Sequence, residues 1–191
     1  MSEQKFRYVY LTSVEHSGST LLACLLGAHP QISTVGEFGT PFPQHVNCSC
    51  GKKYKDCPFW QEWKKRAEEE GIPFDIGNLD INIQPNPQKG FWEDLFYYQF
   101  PYKILNQIRD TLYLMTPYKR KRTKKQVQKS IQLARLLCKM QGTNIFLDTT
   151  KNPLQVRFLN SNPEIDFKVI CLVRDGRAVM HSLLTKEKVY T

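Results

Sequence analysis

The sequence predicts an α/β fold in which a parallel central sheet is flanked by helices on both faces. Segments with the apolar character of strands alternate with segments that have helical spacing, an order typical of parallel sheets. The strand segments are apolar over consecutive residues rather than at every second residue, as expected for strands buried on both faces. We therefore expect a single domain over residues 1–191, with one layer of strands between two layers of helices.

The first predicted element is a strand over residues 6–14, which is rich in Tyr, Val and Leu. A short polar turn leads into a helix over residues 19–28, and a short second strand follows over residues 31–35. Residues 38–60 are predicted to be loop-like because prolines and clustered cysteines interrupt any regular pattern. A helix over residues 59–70 follows, and a Gly and a Pro end it.

Predicted strands and helices alternate again in the second half of the chain, after a largely helical insertion over residues 38–142. Within that insertion, apolar residues at three- and four-residue spacing predict a helix over residues 124–141. The other predicted elements are an irregular segment over residues 75–90, an aromatic-rich helical segment over 91–115 with a break at Pro101, a strand over 144–147, a short helix over 153–160, an apolar strand over 167–173 and a helix from Arg174 onward.

The formal net charge of +9 favours a polyanionic ligand, such as nucleic acid, an anionic membrane surface or a multiply phosphorylated nucleotide. Much of the excess lies in residues 119–122, 124 and 125, where the solvated start of a helix explains it without a ligand. No apolar run reaches the roughly 18 residues of a membrane span, and the N-terminus lacks the pattern of a secretory signal. We expect a cytoplasmic protein.

The sequence Ser17-Gly18-Ser19-Thr20 lies between the first strand and the helix that follows it. A strand, a turn of small residues and a helix together direct backbone N–H groups at an anion. Gly18 allows a tight turn around a phosphate, and the neighbouring hydroxyls can donate further hydrogen bonds. The loop lacks the lysine and the spacing of a nucleoside-triphosphate P-loop. An ordinary helix N-cap explains the same residues equally well.

A second candidate site contains Arg174 and Ser182. Arg174 follows an apolar strand, and ligands of open parallel sheets bind at the carboxyl ends of strands. Ser182 lies about two helical turns further on, so both residues are expected near one face of the helix. An arginine fork with a hydroxyl can hold a phosphate. Alternatively, Arg174 pairs with the neighbouring Asp175 and Ser182 faces solvent.

Together these motifs resemble the sulfotransferases that use 3′-phosphoadenosine-5′-phosphosulfate (PAPS). Residues 10–37 are similar to the family's 5′-phosphosulfate loop, and Arg174 to Ser182 is similar to its 3′-phosphate motif. The resemblance covers residues 10–37 and 144–186, and it hardly extends to residues 61–142. The segments that resemble a bacterial branch of the family are His16 to Leu22, His29-Pro30, Gly36-Glu37, Cys48 to Gly51 and Cys57 to Trp60. The tyrosylprotein sulfotransferases are similar in the segment Val173 to Ala178, which is followed by His181-Ser182.

The resemblance implies a three-layer, P-loop-like fold and a role for each candidate residue. Glu37 is the candidate base for the acceptor hydroxyl, and Lys151 and His16 are the candidate cations for the leaving oxygen. Many relatives have Lys or Arg in the place of His16, and a histidine is charged less reliably at neutral pH. The implied PAPS-binding residues are Ser17, Gly18, Ser19, Thr20 and Leu21 at the 5′ end and Arg174 and Ser182 at the 3′-phosphate.

No metal is required by this chemistry. The acceptor is expected to be a hydroxyl of a small molecule, a carbohydrate or a peptide tyrosine, and the sequence does not distinguish among them. Nucleic acid is not expected as a partner. Because related enzymes continue well beyond the last predicted helix, we expect the C-terminal part of the domain to be missing.

The six cysteines fall into two groups. Cys24, Cys138 and Cys171 lie in apolar segments that predict burial. The other three form the pattern His45-x2-Cys48-x-Cys50-x6-Cys57, which offers enough ligands for a tetrahedral zinc site. The spacing departs from the usual pairs of Cys-x2-Cys, so we expect free or redox-active thiols rather than zinc.

Three other functions are compatible with parts of the sequence. A zinc-containing nucleic-acid-binding module would explain the charge and the cysteines, but it leaves both anion-binding motifs unexplained. A small-molecule or nucleotide kinase would normally have the missing loop lysine. A catalytically inactive fragment that keeps its affinity for PAPS would have the same motifs as an active enzyme.

Overall fold

The structure is a computed structural model, and it describes residues 5–39, 47–83, 96, 98 and 100–187. The elements are, in chain order, β1 (Phe6–Ser13), α1 (Ser19–Gly27), β2 (Ile32–Thr34), a short 3-10 helix (Tyr54–Asp56), α2 (Pro58–Glu69), α3 (Lys103–Leu114), α4 (Pro117–Gln141), β3 (Ile145–Asp148), α5 (Pro153–Asn160), β4 (Ile165–Leu172) and α6 (Gly176–Glu187).

The four strands form one sheet in the order β2-β3-β1-β4, and every pair is parallel. In the centre of the sheet, Tyr10 of β1 lies opposite Asp148 of β3 and Val169 of β4. The predicted α/β class with a parallel central sheet is therefore confirmed. Because all strands run in the same direction, the segments that follow them meet at one edge of the sheet, here called the carboxyl edge.

Side chains of β1 alternate between two hydrophobic cores, one on each face of the sheet. Tyr8 and Tyr10 contribute to the larger core, which also contains side chains of α2, α4 and α5 such as Trp63 and Ile131. Leu11 contributes to the smaller core under α1. Helices thus cover both faces of the central strand.

Residues 72–83 belong to the larger core although they form neither helix nor strand. Burial of each large apolar side chain contributes roughly 1.5–3 kcal/mol, so this segment is a substantial part of the core. Its irregular conformation agrees with the prediction for residues 75–83, and residues 84–90 lie outside the described residues. The buried side chains of the segment are Ile72, Phe74, Ile76, Leu79, Ile81 and Ile83.

Helix α4 begins at Pro117, earlier than the predicted start at residue 124. Proline fits the first position of a helix because the N–H group that it lacks would have no hydrogen-bond partner within the helix at that position. Lys and Arg are good helix formers. The basic run over residues 119–122 therefore lies inside the helix. Lys119 is buried, with its Nζ atom 4.5 Å from the centre of the Phe96 ring. Of the predicted helical segment 91–115, residues 91–95, 97 and 99 lie outside the described residues, and Lys103–Leu114 is helical.

The prediction that the apolar strand near residues 167–173 is buried on both faces was wrong. Strand β4 starts at Ile165, and Val169 at its middle is 44% exposed. Within the described residues, β4 is hydrogen-bonded only to β1 and so forms an edge of the sheet. The apolar sequence of a strand does not show whether another element packs on each of its faces. The predicted burial of Cys24 in α1 and of Cys171 in β4 was also wrong, since both are exposed, whereas Cys138 is buried as expected.

None of the described helices has both the length and the apolar character that crossing a membrane requires.

Candidate active site

The loop between β1 and α1 presents the start of a helix at the carboxyl edge. Gly18 precedes α1 with φ of 93°, a left-handed conformation that glycine adopts without a steric penalty. The first hydrogen bond of the helix runs from the Leu22 amide to the Gly18 carbonyl, at 3.1 Å. The amides of residues 19–21 therefore have no partner within the helix. They lie at the positive end of its dipole and can bind an anion.

Ser17 and Leu21 occupy positions that limit their predicted roles. The Ser17 hydroxyl is buried and donates to the Val14 carbonyl at 2.5 Å, so it closes the turn. The Leu21 side chain is 66% exposed, so any contribution of this residue to phosphate binding would come from its backbone amide.

Arg174 and Ser182 contact the loop after β1 although they are far from it in sequence. The Arg174 Nη1 atom donates to the His16 carbonyl at 2.8 Å. The Ser182 hydroxyl lies 3.4 Å from Nδ1 of the His16 ring. The Asp175 carboxylate instead pairs with Arg177, at 2.9 Å. The fold thus brings the two predicted anion-binding motifs together at His16.

His16 has a backbone conformation that few side chains tolerate. Its φ of 59° lies in the left-handed region, where histidine is found more often than most residues but at some cost in free energy. The bond from Arg174 to the His16 carbonyl helps to hold this conformation. Strained residues occur preferentially at functional sites, and this one lies between the two motifs.

One open cavity connects the segments that follow β1, β3 and β4. Its volume is about 410 Å³. We call it the phosphate cavity after the group that its helix start, guanidinium, ammonium and hydroxyl groups are predicted to bind. Its lining residues are Glu15, His16, Gly18, Ser19, Thr20, Lys151, Arg174 and Ser182.

A second cavity of about 370 Å³ adjoins the first and shares Ser19, Thr20 and Lys151 with it. We call it the side cavity. Glu37 lines the side cavity, and the remaining walls are made largely of small residues from α1 and from the segments around β2 and β3. A larger cavity of about 740 Å³ lies at the opposite edge of the sheet, around Arg7 and Asn144, and none of the predicted site residues lines it.

Glu37 and Lys151 form an ion pair where the two cavities meet. The Lys151 Nζ atom donates to Glu37 Oε1 at 3.1 Å. Gly36 precedes Glu37 with φ of 78°, and its carbonyl accepts a hydrogen bond from the Thr149 amide at 3.1 Å. This bond joins the segment after β2 to the segment after β3. The turn at Gly36 thereby places the candidate base beside the candidate cation.

Asn152 fixes the backbone next to Lys151, and the sequence did not identify it as a site residue. Its side-chain oxygen accepts from the Leu154 amide at 3.0 Å and caps α5. Its side-chain nitrogen donates to Asn82 Oδ1 at 2.7 Å. Its backbone amide donates to the Tyr10 hydroxyl at 3.0 Å. An Asn-Pro pair is a recognisable helix start, but the contacts with Tyr10 and Asn82 depend on the tertiary fold.

Asp148 is a second supporting residue that the sequence did not single out. It is fully buried at the end of β3, and it accepts hydrogen bonds from the Tyr8 hydroxyl and the Thr150 amide, each at 2.8 Å. Burial raises the pKa of Asp148 to about 6, although the hydrogen bonds from Thr150 and Tyr8 act in the opposite direction. The Asp148 carboxyl orders the turn that leads to Lys151.

We expect Asp148 to make the protein less stable as the pH rises from about 4 to about 6. Its pKa is about 6 in the folded chain and 3.8 ordinarily, so the folded state binds more protons than the unfolded state in this interval. The contribution of Asp148 to the free energy of unfolding is therefore fully present below pH 3.8, and it is lost as the pH rises through about 6. The loss is up to about 3 kcal/mol in the free energy of unfolding.

Urea unfolding of the wild type and of Asp148→Asn across this pH range tests the expectation. The Asn variant should lack this part of the pH dependence, whereas Asp166→Asn, which changes a partly exposed carboxylate on β4, should keep it. An Asp148→Asn variant with the wild-type dependence would contradict the assignment.

Among the predicted metal ligands, Cys48, Cys50 and Cys57 lie close together, and His45 lies outside the described residues. None of the three cysteines lines the phosphate cavity or the side cavity.

The site therefore combines free helix amides, a guanidinium, an ammonium and a carboxylate at the carboxyl edge of a parallel sheet. Such a set can bind two separate anionic groups, stabilise negative charge that develops between them and accept a proton. Comparisons with protein-family models, with curated proteins and with solved structures gave no match for this chain.

Proposed function

We propose that the protein is a sulfotransferase that moves a sulfuryl group from PAPS to an acceptor hydroxyl. The observation that supports this best is the contact of Arg174 and Ser182 with His16, which joins two anion-binding elements around one cavity. PAPS has an anionic group at both its 5′ and its 3′ end. A ligand with a single phosphate chain would need only the helix start. The net charge of +9 is also suited to such a polyanion.

The proposed binding mode assigns one element to each end of PAPS. The amides of residues 19–21 and the hydroxyls of Ser19 and Thr20 would hold the 5′-phosphosulfate. Arg174 would bind the 3′-phosphate through its guanidinium fork, and Ser182 would donate a further hydrogen bond. In this mode the fold would be P-loop-like, with the loop after the central strand binding the phosphate end of a nucleotide.

The proposed reaction is an in-line displacement at sulfur. A bond forms between the acceptor oxygen and sulfur, and the bond between sulfur and the 5′-phosphate oxygen breaks with its electron pair remaining on that oxygen. Glu37 would accept the proton of the acceptor hydroxyl. Lys151 and His16 would stabilise the negative charge that develops on the leaving oxygen, each by about 2–4 kcal/mol if they act like oxyanion-hole donors.

The side cavity is the proposed entrance for the acceptor. It adjoins the phosphate cavity along Lys151 and contains Glu37, so a hydroxyl placed there would lie beside both the base and the sulfuryl group. Its walls contain small residues such as Ala23 and Gly27. A small alcohol, a carbohydrate hydroxyl and a tyrosine side chain are the acceptors to compare.

A catalytically inactive PAPS-binding chain remains the main alternative because its binding contacts would be the same. Only a transfer assay separates the two. Screening candidate acceptors with radiolabelled PAPS should give labelled product if the chain is active. A zinc-containing nucleic-acid-binding module is less well supported, since it gives no reason for the contact between Arg174 and His16.

Adenosine 3′,5′-bisphosphate, the product that retains both phosphates, should raise the melting temperature of the protein. At 100 times its Kd the ligand contributes about 2.7 kcal/mol, which corresponds to a shift of about 5–10 °C for a domain of this size. Adenosine 5′-phosphate should give a much smaller shift because it leaves Arg174 and Ser182 without a phosphate. An unchanged melting temperature at millimolar bisphosphate would refute the proposed function.

A further inference from the structure

Cys48, Cys50 and Cys57 bring three sulfur atoms together in a part of the chain that the proposed reaction does not use. The sulfurs of Cys50 and Cys57 are 3.5 Å apart, those of Cys57 and Cys48 are 3.7 Å apart, and all three lie within 4.8 Å of one another. In a tetrahedral zinc site with zinc–sulfur bonds of about 2.3 Å, neighbouring sulfurs lie roughly 3.8 Å apart. Two of the three distances between the sulfurs are therefore close to an edge of that tetrahedron, and the third is no longer than 4.8 Å.

The backbone holds two of these cysteines on one tight turn. The Cys48 amide donates to the Lys52 carbonyl at 2.7 Å, and the Gly51 amide donates to the Cys48 carbonyl at 2.9 Å. Gly51 has φ of 83°, a conformation that favours glycine. An isolated antiparallel bridge between Asn47 and Lys53 closes the turn. Cys48 and Cys50 are therefore positioned by the turn itself.

The third cysteine immediately precedes helix α2. Cys57 is buried and occupies the N-cap position of α2. The positive end of the helix dipole favours a thiolate at this position.

We propose that Cys48, Cys50 and Cys57 bind one Zn²⁺ ion as thiolates. Each thiol releases its proton on binding, and three sulfurs leave one position of the tetrahedron for water or a further ligand. This differs from the expectation of free or redox-active thiols, which rested on spacing alone. A disulfide would join only two of the three sulfurs, whereas the observed triangle includes all of them.

The proposed role of the ion is structural. It would fasten the turn over residues 47–53 to the start of α2. The ring of Tyr54 packs against Trp60, with ring centres 5.6 Å apart, and Trp60 is buried in the larger core beside Trp63. The metal would thus connect the turn to the main core of the protein. The zinc proposal is independent of the proposed sulfuryl transfer, so a test of one does not decide the other.

Elemental analysis of the full chain, purified under reducing conditions without chelators, tests the proposal. We expect about one zinc per chain. Cys50→Ser should lose the metal, and because Cys50 is exposed the substitution leaves the core packing intact. The matched control is Cys171→Ser, which removes an exposed cysteine outside the cluster and should keep the zinc. Wild-type protein without zinc, or Cys50→Ser with as much zinc as the wild type, would overturn the proposal.

Two further measurements identify the ligands. Exchange of zinc for Co²⁺ should produce the near-ultraviolet charge-transfer absorbance of a cobalt thiolate, and this absorbance should be much weaker in Cys50→Ser. A chelator should lower the melting temperature of the wild type and of Cys171→Ser, and leave that of Cys50→Ser unchanged. An intact mass two hydrogens below that of the reduced chain, with no metal bound, would identify a disulfide instead and would overturn the proposal.

Discussion

Replacing Lys151 with alanine should lower the turnover number for sulfuryl transfer about 10²- to 10³-fold, the usual loss when one oxyanion donor is removed. The Lys151 ammonium lines both cavities and lies 3.1 Å from Glu37, the candidate base. In the proposed reaction it stabilises the charge on the leaving oxygen. Because adenosine 3′,5′-bisphosphate has no sulfuryl group, its affinity should fall far less than the turnover number.

The measurement is initial-rate kinetics with the best acceptor of the transfer screen, combined with calorimetric titration of the bisphosphate. Lys168→Ala is the matched control, since it removes an exposed lysine of β4 that pairs with Asp166; it should leave both quantities unchanged. Lys151→Arg should recover part of the turnover because it restores the positive charge. A Lys151→Ala variant with wild-type turnover would exclude Lys151 from the reaction.

Arg174→Ala should weaken the binding of adenosine 3′,5′-bisphosphate about 10- to 150-fold, as expected for the loss of a charged hydrogen bond of about 1.5–3 kcal/mol. Adenosine 5′-phosphate should lose less affinity. Some loss is expected for both ligands, because Arg174 also holds the His16 carbonyl. The informative quantity is therefore the Kd for adenosine 5′-phosphate divided by the Kd for the bisphosphate. This ratio should be smaller in the variant than in the wild type.

The control for this prediction is Arg177→Ala. Arg177 lies three residues further along the chain, is almost fully exposed and pairs with Asp175. The variant changes the net charge by the same amount and should keep the wild-type ratio of Kd values. If Arg174→Ala also kept that ratio, the assignment of the 3′-phosphate to Arg174 would be wrong.

The sequence was sufficient to predict the class of the fold. Each strand of a parallel sheet is separated from the next by a crossover, so alternating patterns directly indicate the architecture. Strand order was not predictable in the same way, because β3 lies between β1 and β2 through contacts distant in sequence. The prediction that β4 is buried on both faces was wrong, since Val169 is apolar and yet exposed. An apolar residue does not indicate which element, if any, packs against it.

The candidate site could be predicted where its residues lie in local motifs. The loop at Gly18 and the segment from Arg174 to Ser182 each have a recognisable pattern, and their convergence on His16 follows from the shared direction of the strands. The supporting residues could not be predicted. Asn152 is held by Tyr10 in a strand and by Asn82 in an irregular segment, and no spacing rule connects these positions.

A crystal structure with adenosine 3′,5′-bisphosphate tests the central claim most directly, because the claim concerns two phosphates of one ligand. We predict that oxygens of the 5′-phosphate lie within hydrogen-bond distance, about 2.7–3.2 Å, of the amides of residues 19–21. The 3′-phosphate should contact the Arg174 guanidinium and the Ser182 hydroxyl. A nucleotide bound outside the phosphate cavity, or bound there with its 3′-phosphate away from Arg174, would contradict the account.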